Sequence, residues 1–235
     1  MSLNGVSVAL VHGAWADGSS WSKVIGPLQD AGANVVAAQL PLTSLAEDVA
    51  ALERTLDRVE GQVVLVGHAY AGAVIAETRN PKVQALVYVA ALAPDEGETV
   101  AAVFGRAEPH PKAPALDPDP EGLIWLPREA FAAAFAQRAT AEEQALLAAA
   151  QRPIALSNIT TEVQRPLWKD RPSWFLVAEE DRMIAPETQR FMAERMSARQ
   201  VSKPVDHAPM VTAPDVVADI ILDAARSAST TGEPS

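Results

Sequence analysis

The residue that bears most on the chemistry of this sequence is an alanine, Ala69, in the pattern Gly-His-Ala-Tyr-Ala-Gly at residues 67–72. The apolar run 63–66 leads into this pattern as a buried strand would. A strand that turns sharply into a helix between small residues is the setting of a nucleophile elbow, whose corner carries a serine. A methyl group cannot attack a carbonyl carbon. The reaction that such a fold could support and the reaction that this chain can perform are therefore separate questions.

Two further sites could complete such a centre. Asp181 follows the apolar run 174–178 and precedes an apolar pair, which favours it over Glu179 and Glu180 as the carboxylate that orients a histidine. His207 lies in a loop before the last predicted helix, where it could act as a general base. Alone, each has an ordinary explanation as an acidic turn or a structural histidine. Together, at the carboxyl edge of a sheet, they predict an acid–base pair.

The loop after the first predicted strand adds backbone hydrogen-bond donors. The sequence His-Gly-Ala-Trp at residues 12–15 directly follows the apolar run 6–11. An oxyanion hole is built from the N–H of the residue after the nucleophile and an N–H from such a loop. We therefore expect the N–H groups of Ala14 and Tyr70 to converge, each worth on the order of 3 kcal/mol to a transition state. His12 is interpreted as a structural residue that holds this loop.

The segments that must position these residues alternate between two patterns. Short apolar runs predict strands, and stretches with apolar residues at three- and four-residue steps predict helices. This alternation indicates an α/β fold with a doubly wound, mostly parallel sheet. The predicted strands span residues 6–11, 34–38, 63–66, 83–91, 174–178 and, more weakly, 200–202, and the predicted helices span 21–31, 45–59, 131–137, 141–151 and 216–225.

We expect a single domain over residues 1–226. Residues 94–164 break the alternation and are longer than a simple connection, so we interpret them as a helical cap insertion over the carboxyl edge of the sheet. The alternative is an ordinary pair of crossover helices. Residues 227–235 are small and polar and are predicted to form a disordered tail.

Aromatic side chains of the predicted cap bear on the substrate. If Trp125 and Phe131 line the pocket together with Trp15 of the first loop, the substrate is small and largely apolar. The alternative is that the cap aromatics only pack the cap onto the core. We take Trp15, Trp125 and Phe131 as the candidate substrate-binding residues.

Composition excludes several classes of partner. With 30 acidic residues against 19 Lys and Arg, the net charge is −11, which disfavours nucleic acid and anionic membrane surfaces. No cysteine is present and the four histidines show no metal-ligand spacing, so we expect neither a disulfide framework nor a metal site. No dinucleotide fingerprint or phosphate-binding loop occurs, and we expect no cofactor.

The expected partner is therefore a small-molecule substrate, with no nucleic acid and no membrane, and the chain is compatible with a homodimer. Neither a signal peptide nor a membrane-spanning run is recognisable, so a cytoplasmic location is the default expectation.

Taken together, these motifs resemble the α/β-hydrolase superfamily, specifically its small branch of plant methylesterases, hydroxynitrile lyases and bacterial esterase-like relatives. The resemblance covers about residues 6–225. It is carried by Val-His-Gly-Ala-Trp at residues 11–15 with Trp21, by the elbow at 67–72, and by Asp-His-Ala-Pro-Met at 206–210. The order elbow, acid, histidine is also the order of that family.

The resemblance implies a role for each candidate residue. Asp181 would be the triad acid, His207 the base, position 69 the nucleophile position, and Ala14 and Tyr70 the oxyanion hole, without metal or cofactor.

Three positions bear on how far this resemblance extends. Relatives carry serine at the position of Ala69. At the position of Ala71 they more often carry glycine, although another small residue is tolerated there. The cyanide-releasing members carry a lysine where this chain has Ala208, which points to the esterase side.

Three interpretations of Ala69 remain open. It is an engineered replacement of the serine in an active esterase; or it is natural, and the Asp181–His207 pair works without a nucleophile, as in lyases and cofactor-free oxygenases; or the protein is a non-catalytic binder of small ligands. Our expectation is an esterase-like hydrolase for small, largely apolar esters that is inactive or strongly impaired as it stands.

Overall fold

A six-stranded, wholly parallel sheet forms the centre of the chain, with strand order β2-β1-β3-β4-β7-β8. The computed structural model describes Leu3 and residues 5–230. The strands of the sheet are β1 (Val6–Val11), β2 (Asn34–Ala38), β3 (Gln62–His68), β4 (Val83–Val89), β7 (Ser173–Ala178) and β8 (Arg199–Lys203). A separate antiparallel pair joins β5 (Leu123–Ile124) to β6 (Ile154–Ala155).

Burial explains which strands were easy to recognise in the sequence. β1 and β7 are buried along their whole length, and β3 and β4 at all but one residue each, because helices cover both faces of the sheet. β8 is an edge strand with four exposed residues and polar side chains, which is why its pattern is weak. The predicted doubly wound parallel sheet is confirmed.

Helices lie on both faces of this sheet. They are α1 (Ser22–Asp30), α2 (Leu45–Asp57), α3 (Ala71–Glu77), α4 (Val100–Phe104), α5 (Ala141–Ala150), α6 (Leu156–Thr160), α7 (Pro186–Arg195), α8 (Pro209–Thr212) and α9 (Pro214–Thr230). Right-handed crossovers place α1 on one face and α2, α3 and α7 on the other, because the chain reverses its direction across the sheet after β2. α9 packs against α1 and covers the same face.

The candidate residues all follow carboxyl ends of strands. The loop with Ala14 leaves β1, the corner at Ala69 leaves β3, Asp181 follows β7, and His207 follows β8. In open α/β sheets, this edge is where ligands bind, at the point where the strand order reverses. The fold therefore brings residues from four separate loops to one edge of the sheet.

The segment between β4 and β7 contains short elements only. Besides α4, α5, α6, β5 and β6, it holds a π-helical turn, Phe131–Phe135, where a regular helix was expected. No residue of α5 is buried, so this helix lies on the surface of the segment.

The carboxyl-terminal prediction needs correction. Residues 227–230 were expected to belong to a disordered tail, but α9 continues through Thr230. Ala228 lies one helical turn after Ala224 and Ala225 and is buried with them, at 4% exposure. This buried contact lies within the last part of the helix, which the polar composition of residues 227–230 does not indicate. Residues 231–235 lie outside the described residues.

Candidate active site

The corner at Ala69 keeps the conformation of a nucleophile elbow. Its φ is +49°, in the left-handed region that costs a non-glycine residue about 1–2 kcal/mol. The corner is held because the Ala69 carbonyl accepts hydrogen bonds from the N–H groups of Gly72 (3.1 Å) and Leu92 (2.9 Å). A Cβ on Gly72 would lie 2.1 Å from the Leu92 carbonyl oxygen, which explains the glycine.

Asp181 and His207 form a buried hydrogen-bonded pair. His207 Nδ1 lies 2.8 Å from Asp181 Oδ2, and both side chains are almost wholly buried. The same carboxylate accepts bonds from Gln189 Nε2 (2.8 Å) and from the N–H groups of Met183 (2.7 Å) and Ile184 (2.9 Å), which fix its orientation. With Nδ1 donating to Asp181, the second ring nitrogen of His207 is left to accept a proton.

The neighbouring acids have other partners. Glu179 pairs with Arg190, and Glu180 pairs with Arg138, on the protein surface. Of the three consecutive acids, the structure places Asp181 alone against His207. The apolar pair after Asp181 supplies two of the N–H groups that hold it.

Two backbone N–H groups are free beside the corner. Within the described residues, no acceptor bonds to the N–H of Ala14 or of Tyr70. Both residues line the same pocket as Ala69 and His207. Free, preorganised N–H groups at such a corner are what an oxyanion hole requires. The structure thus brings these two N–H groups, His207 and Ala69 to one pocket.

His12 holds the loop that carries Ala14. Its Nδ1 donates to the Gly13 carbonyl (2.9 Å), and its Nε2 accepts from the Leu40 N–H (3.0 Å). Burial lowers the pKa of His12 to about 4, so the ring is neutral at pH 7 and suits one donor and one acceptor role. A Cβ on Gly13 would lie 2.9 Å from the His68 carbonyl oxygen, so the loop can approach the elbow only with glycine there.

His68 also contacts His207, although the sequence motifs did not indicate a role for it. It is buried at the end of β3, and its Nε2 lies 2.7 Å from the backbone carbonyl oxygen of His207. The two imidazole rings are 4.8 Å apart. Burial lowers the pKa of His68 well below its usual value, so it donates as a neutral ring. A polar residue ending an apolar strand was the available signal.

A buried network behind the pocket was also missed. The carboxylate of Asp48, on α2, accepts bonds from the Leu42 N–H (2.7 Å), the Tyr70 hydroxyl (2.8 Å) and Asn158 Nδ2 (2.7 Å). Asn158 Nδ2 also reaches the Tyr70 oxygen at 2.9 Å. The network joins α2 and the segment between β4 and β7 to Tyr70, one of the two residues with a free backbone N–H in the pocket.

This network predicts a pH-dependent stability. Burial raises the pKa of Asp48 from 3.8 to about 6, so folding favours the protonated acid. The corresponding stability is fully present below pH 3.8 and is lost as pH rises through 6. At 1.36 kcal/mol per pH unit, it amounts to about 3 kcal/mol. The free energy of unfolding, measured with urea, should therefore fall between pH 4 and pH 7. This fall should be larger in the native chain than in Asp48→Asn, by about 3 kcal/mol. Parallel pH dependences in the two proteins would contradict the assignment.

An apolar pocket opens in front of the corner. Its wall is almost wholly hydrophobic, with His207 and the two N–H groups at one end. The lining residues are Ala14, Trp15, Ala69, Tyr70, Leu92, Val100, Phe104, Ile124, Ile154, Ile159, Met183, Ile184 and His207. Several come from the segment between β4 and β7, so that segment covers the carboxyl edge of the sheet at the pocket.

Of the three predicted substrate-binding residues, only Trp15 lies in the pocket. Trp125 is 49% exposed, because it follows Ile124 of β5 and successive side chains of an extended strand point in opposite directions. Phe131 is fully buried, but it packs against Phe135, whose ring in turn contacts His207. Both placements correct the prediction. Phe104 and Ile124 form the wall in their place.

The described residues contain no group of three or more His, Cys, Asp or Glu side chains placed to hold a metal ion. None of the helices in the described ranges is both long enough and apolar enough to cross a membrane.

Comparison with known proteins identifies the family of the chain. A model of the alpha/beta hydrolase family matches residues 8–220. A carbendazim hydrolyzing esterase from Nocardioides sp. (strain SG-4G) is 32% identical over 115 residues, which are 43% of this chain and 48% of that protein. The match thus spans about half the length of this curated relative.

Solved structures share the fold over nearly the whole chain. A pyrethroid hydrolase from Sphingobium faniae JZ-2 superposes with a TM-score of 0.82 at 23% identity, covering 96% of this chain and 99% of that one. Polyneuridine aldehyde esterase gives 0.76 at 20% identity, covering 94% and 99%. Tomato methylketone synthase I complexed with 2-tridecanone gives 0.75 at 22% identity, covering 94% and 98%. By the family match and by its fold, this chain belongs to the alpha/beta hydrolase family.

Proposed function

We propose that the chain is an esterase-like member of this family that binds small, largely apolar esters, and that Ala69 leaves it inactive or strongly impaired in hydrolysing them. The observation that carries the proposal is that His207, hydrogen-bonded to Asp181, lines one apolar pocket together with Ala69 and with Ala14 and Tyr70, whose N–H groups are free. Similar proteins whose names describe ester hydrolysis or hydrolysis support the proposal: the carbendazim hydrolyzing esterase, the pyrethroid hydrolase and polyneuridine aldehyde esterase.

The proposed binding follows from how the pocket would meet an ester. The carbonyl oxygen would accept hydrogen bonds from Ala14 and Tyr70, while the alkyl and acyl groups would contact side chains such as Ile124 and Phe104. Among the described residues that line this pocket, none is an aspartate, glutamate, lysine or arginine. A neutral, apolar ester thus fits better than a charged substrate, because a buried charge without a partner is costly.

We expect the chain to bind short esters while turning them over very slowly. Without a nucleophile, the oxyanion hole and binding alone leave roughly 10³–10⁴-fold acceleration over water in serine hydrolases. Calorimetry with short aryl and methyl esters should give dissociation constants in the range of ordinary KM values, about 1 μM to 1 mM. Turnover should exceed the uncatalysed rate by no more than roughly 10⁴-fold.

A matched pair of variants checks where the esters bind. Ile124→Ala removes a buried pocket side chain and should weaken binding several-fold, whereas Leu156→Ala, at a 39% exposed position outside the pocket, should not. Turnover of simple esters at ordinary enzyme rates, or no ester binding at all, would overturn the proposal.

A second candidate is general-base chemistry without a nucleophile. It is favoured because an intact pair and two free N–H groups are retained beside a corner that bears only a methyl group. His207 would remove a proton from the carbon next to a bound carbonyl. The C–H electron pair would then form an enolate, whose oxygen the N–H groups of Ala14 and Tyr70 would stabilise.

Isotope exchange tests this second candidate. In D₂O, the chain should catalyse exchange of the protons next to the carbonyl of a small ketone, because an enolate recaptures a solvent deuteron. Proton NMR of the ketone would follow the exchange, and His207→Gln should abolish it by removing the base. Exchange that is equal in the two proteins would contradict a role for His207, and binding without any exchange would leave the chain a ligand binder.

A further inference from the structure

A second cavity adjoins the proposed substrate pocket. It is a groove between residues 16–23 and α5, with an ion pair from Lys23 to Glu143 across it. Its apolar wall is formed by Trp15, Ala16, Leu146, Leu147, Ala150 and Val211. Of the residues in the described ranges, Trp15 alone lines both cavities. The tryptophan therefore stands between the pocket at the corner and the groove beside it.

Trp15 is held firmly in this position. Its indole N–H donates to the carbonyl of Ile124 (2.9 Å), and its backbone N–H donates to the carbonyl of Arg152 (3.1 Å). The ring also meets Phe135 edge-on, at 6.4 Å between centroids. Two anchors thus tie the oxyanion-hole loop to the segment between β4 and β7, and the indole is part of the connection.

The backbone of Trp15 makes a large side chain costly there. Its φ is +58°, a left-handed value at which glycine is the favoured residue. A tryptophan kept in such a conformation needs compensating contacts, and those contacts fix the indole between the two cavities.

We propose that Trp15 is a specificity-determining residue, a wall that limits the pocket to short carbonyl compounds by closing it off from the groove. The inference rests on the proposed function, since it assumes that the pocket binds such compounds. Beyond the wall, the groove offers leucine, alanine and valine side chains, so an alkyl chain would fill it once the wall is removed. The native chain thus discriminates by length, against substrates with long apolar chains.

A series of methyl ketones of increasing chain length tests this inference on the chain as it stands. Ketones present a carbonyl to the N–H groups but have no ester bond to cleave. Each buried methylene should lower Kd about fourfold, and in the native chain this gain should stop at a short length. In Trp15→Gly, which suits the positive φ, the gain should continue. A ketone three methylenes beyond the native limit should bind roughly 60-fold more tightly to that variant.

Two further variants control the comparison. Trp125→Gly removes the same side chain from an exposed position outside both cavities and should keep the native length limit. If Trp15→Gly does not fold, Trp15→Leu, which leaves a smaller apolar side chain, must still move the limit to longer ketones.

The possible failures are distinguishable. An unchanged length limit in the folded Trp15 variants overturns the inference and leaves the proposed function standing. If no ketone and no ester of any length binds to the native chain, the proposed function fails, and the role of Trp15 fails with it.

Discussion

Replacing Ala69 with serine should raise the turnover of short-chain aryl and methyl esters by several orders of magnitude, up to about 10⁶-fold, which is what loss of the nucleophile costs in serine hydrolases. The change adds one oxygen at a corner whose left-handed φ is already in place. His207, the base that would activate the hydroxyl, is already hydrogen-bonded to the carboxylate of Asp181. The measurement is kcat/KM for both proteins, side by side, on one panel of esters.

Ala69→Gly is the matched control for this gain. It alters the same corner and suits the positive φ, but it introduces no hydroxyl, so it should gain nothing. If Ala69→Ser folds and hydrolyses no ester faster than the native chain, the site has another chemistry, and carbonyl compounds with a removable proton become the substrates to examine.

The second large effect is expected at Asp181. In the Ala69→Ser background, Asp181→Asn should lower kcat about 10⁴-fold, as removal of the triad carboxylate charge does in serine hydrolases. The amide of asparagine would donate to Nδ1 of His207. The ring would then carry its proton on the nitrogen that must accept one, so the serine would stay protonated.

Glu180→Gln in the same background is the control for this loss. Glu180 neighbours Asp181 in sequence, but its carboxylate pairs with Arg138 at the surface, with 44% of the side chain exposed. Neutralising such an acid should change kcat less than twofold, because exposed ion pairs contribute little. An equal loss in both variants would mean that charge near the site matters, and that the pairing of Asp181 with His207 does not.

The sequence predicted the parts of this site that depend on short local patterns. The elbow could be read because Gly72 has no room for a side chain and because β3 is buried along nearly all of its length. His207 and Asp181 could be placed because each follows a strand, and the carboxyl ends of parallel strands share one edge. In both cases the sequence pattern itself encodes the position.

Contacts between distant segments could not be predicted in the same way. Whether the Trp125 side chain faces the pocket depends on the side of the extended chain on which it lies. The sequence does not show where the preceding two-residue strand, Leu123–Ile124, begins. Two partners of Asp48, Tyr70 and Asn158, lie 22 and 110 residues away in the chain, so no local pattern reveals them. His68 acts on a backbone carbonyl 139 residues away, which only the folded chain brings near.

The most direct test of whether the site lacks only its nucleophile is covalent labelling of the Ala69→Ser variant. A fluorophosphonate reacts with a serine that a neighbouring base activates, and its phosphoryl oxygen occupies the oxyanion hole. We predict one adduct by intact-protein mass spectrometry, located at position 69 by peptide mapping, and no adduct on the native chain. A folded Ala69→Ser protein that stays unlabelled would show that the base and the two N–H groups do not act on this corner, and would contradict the proposed site.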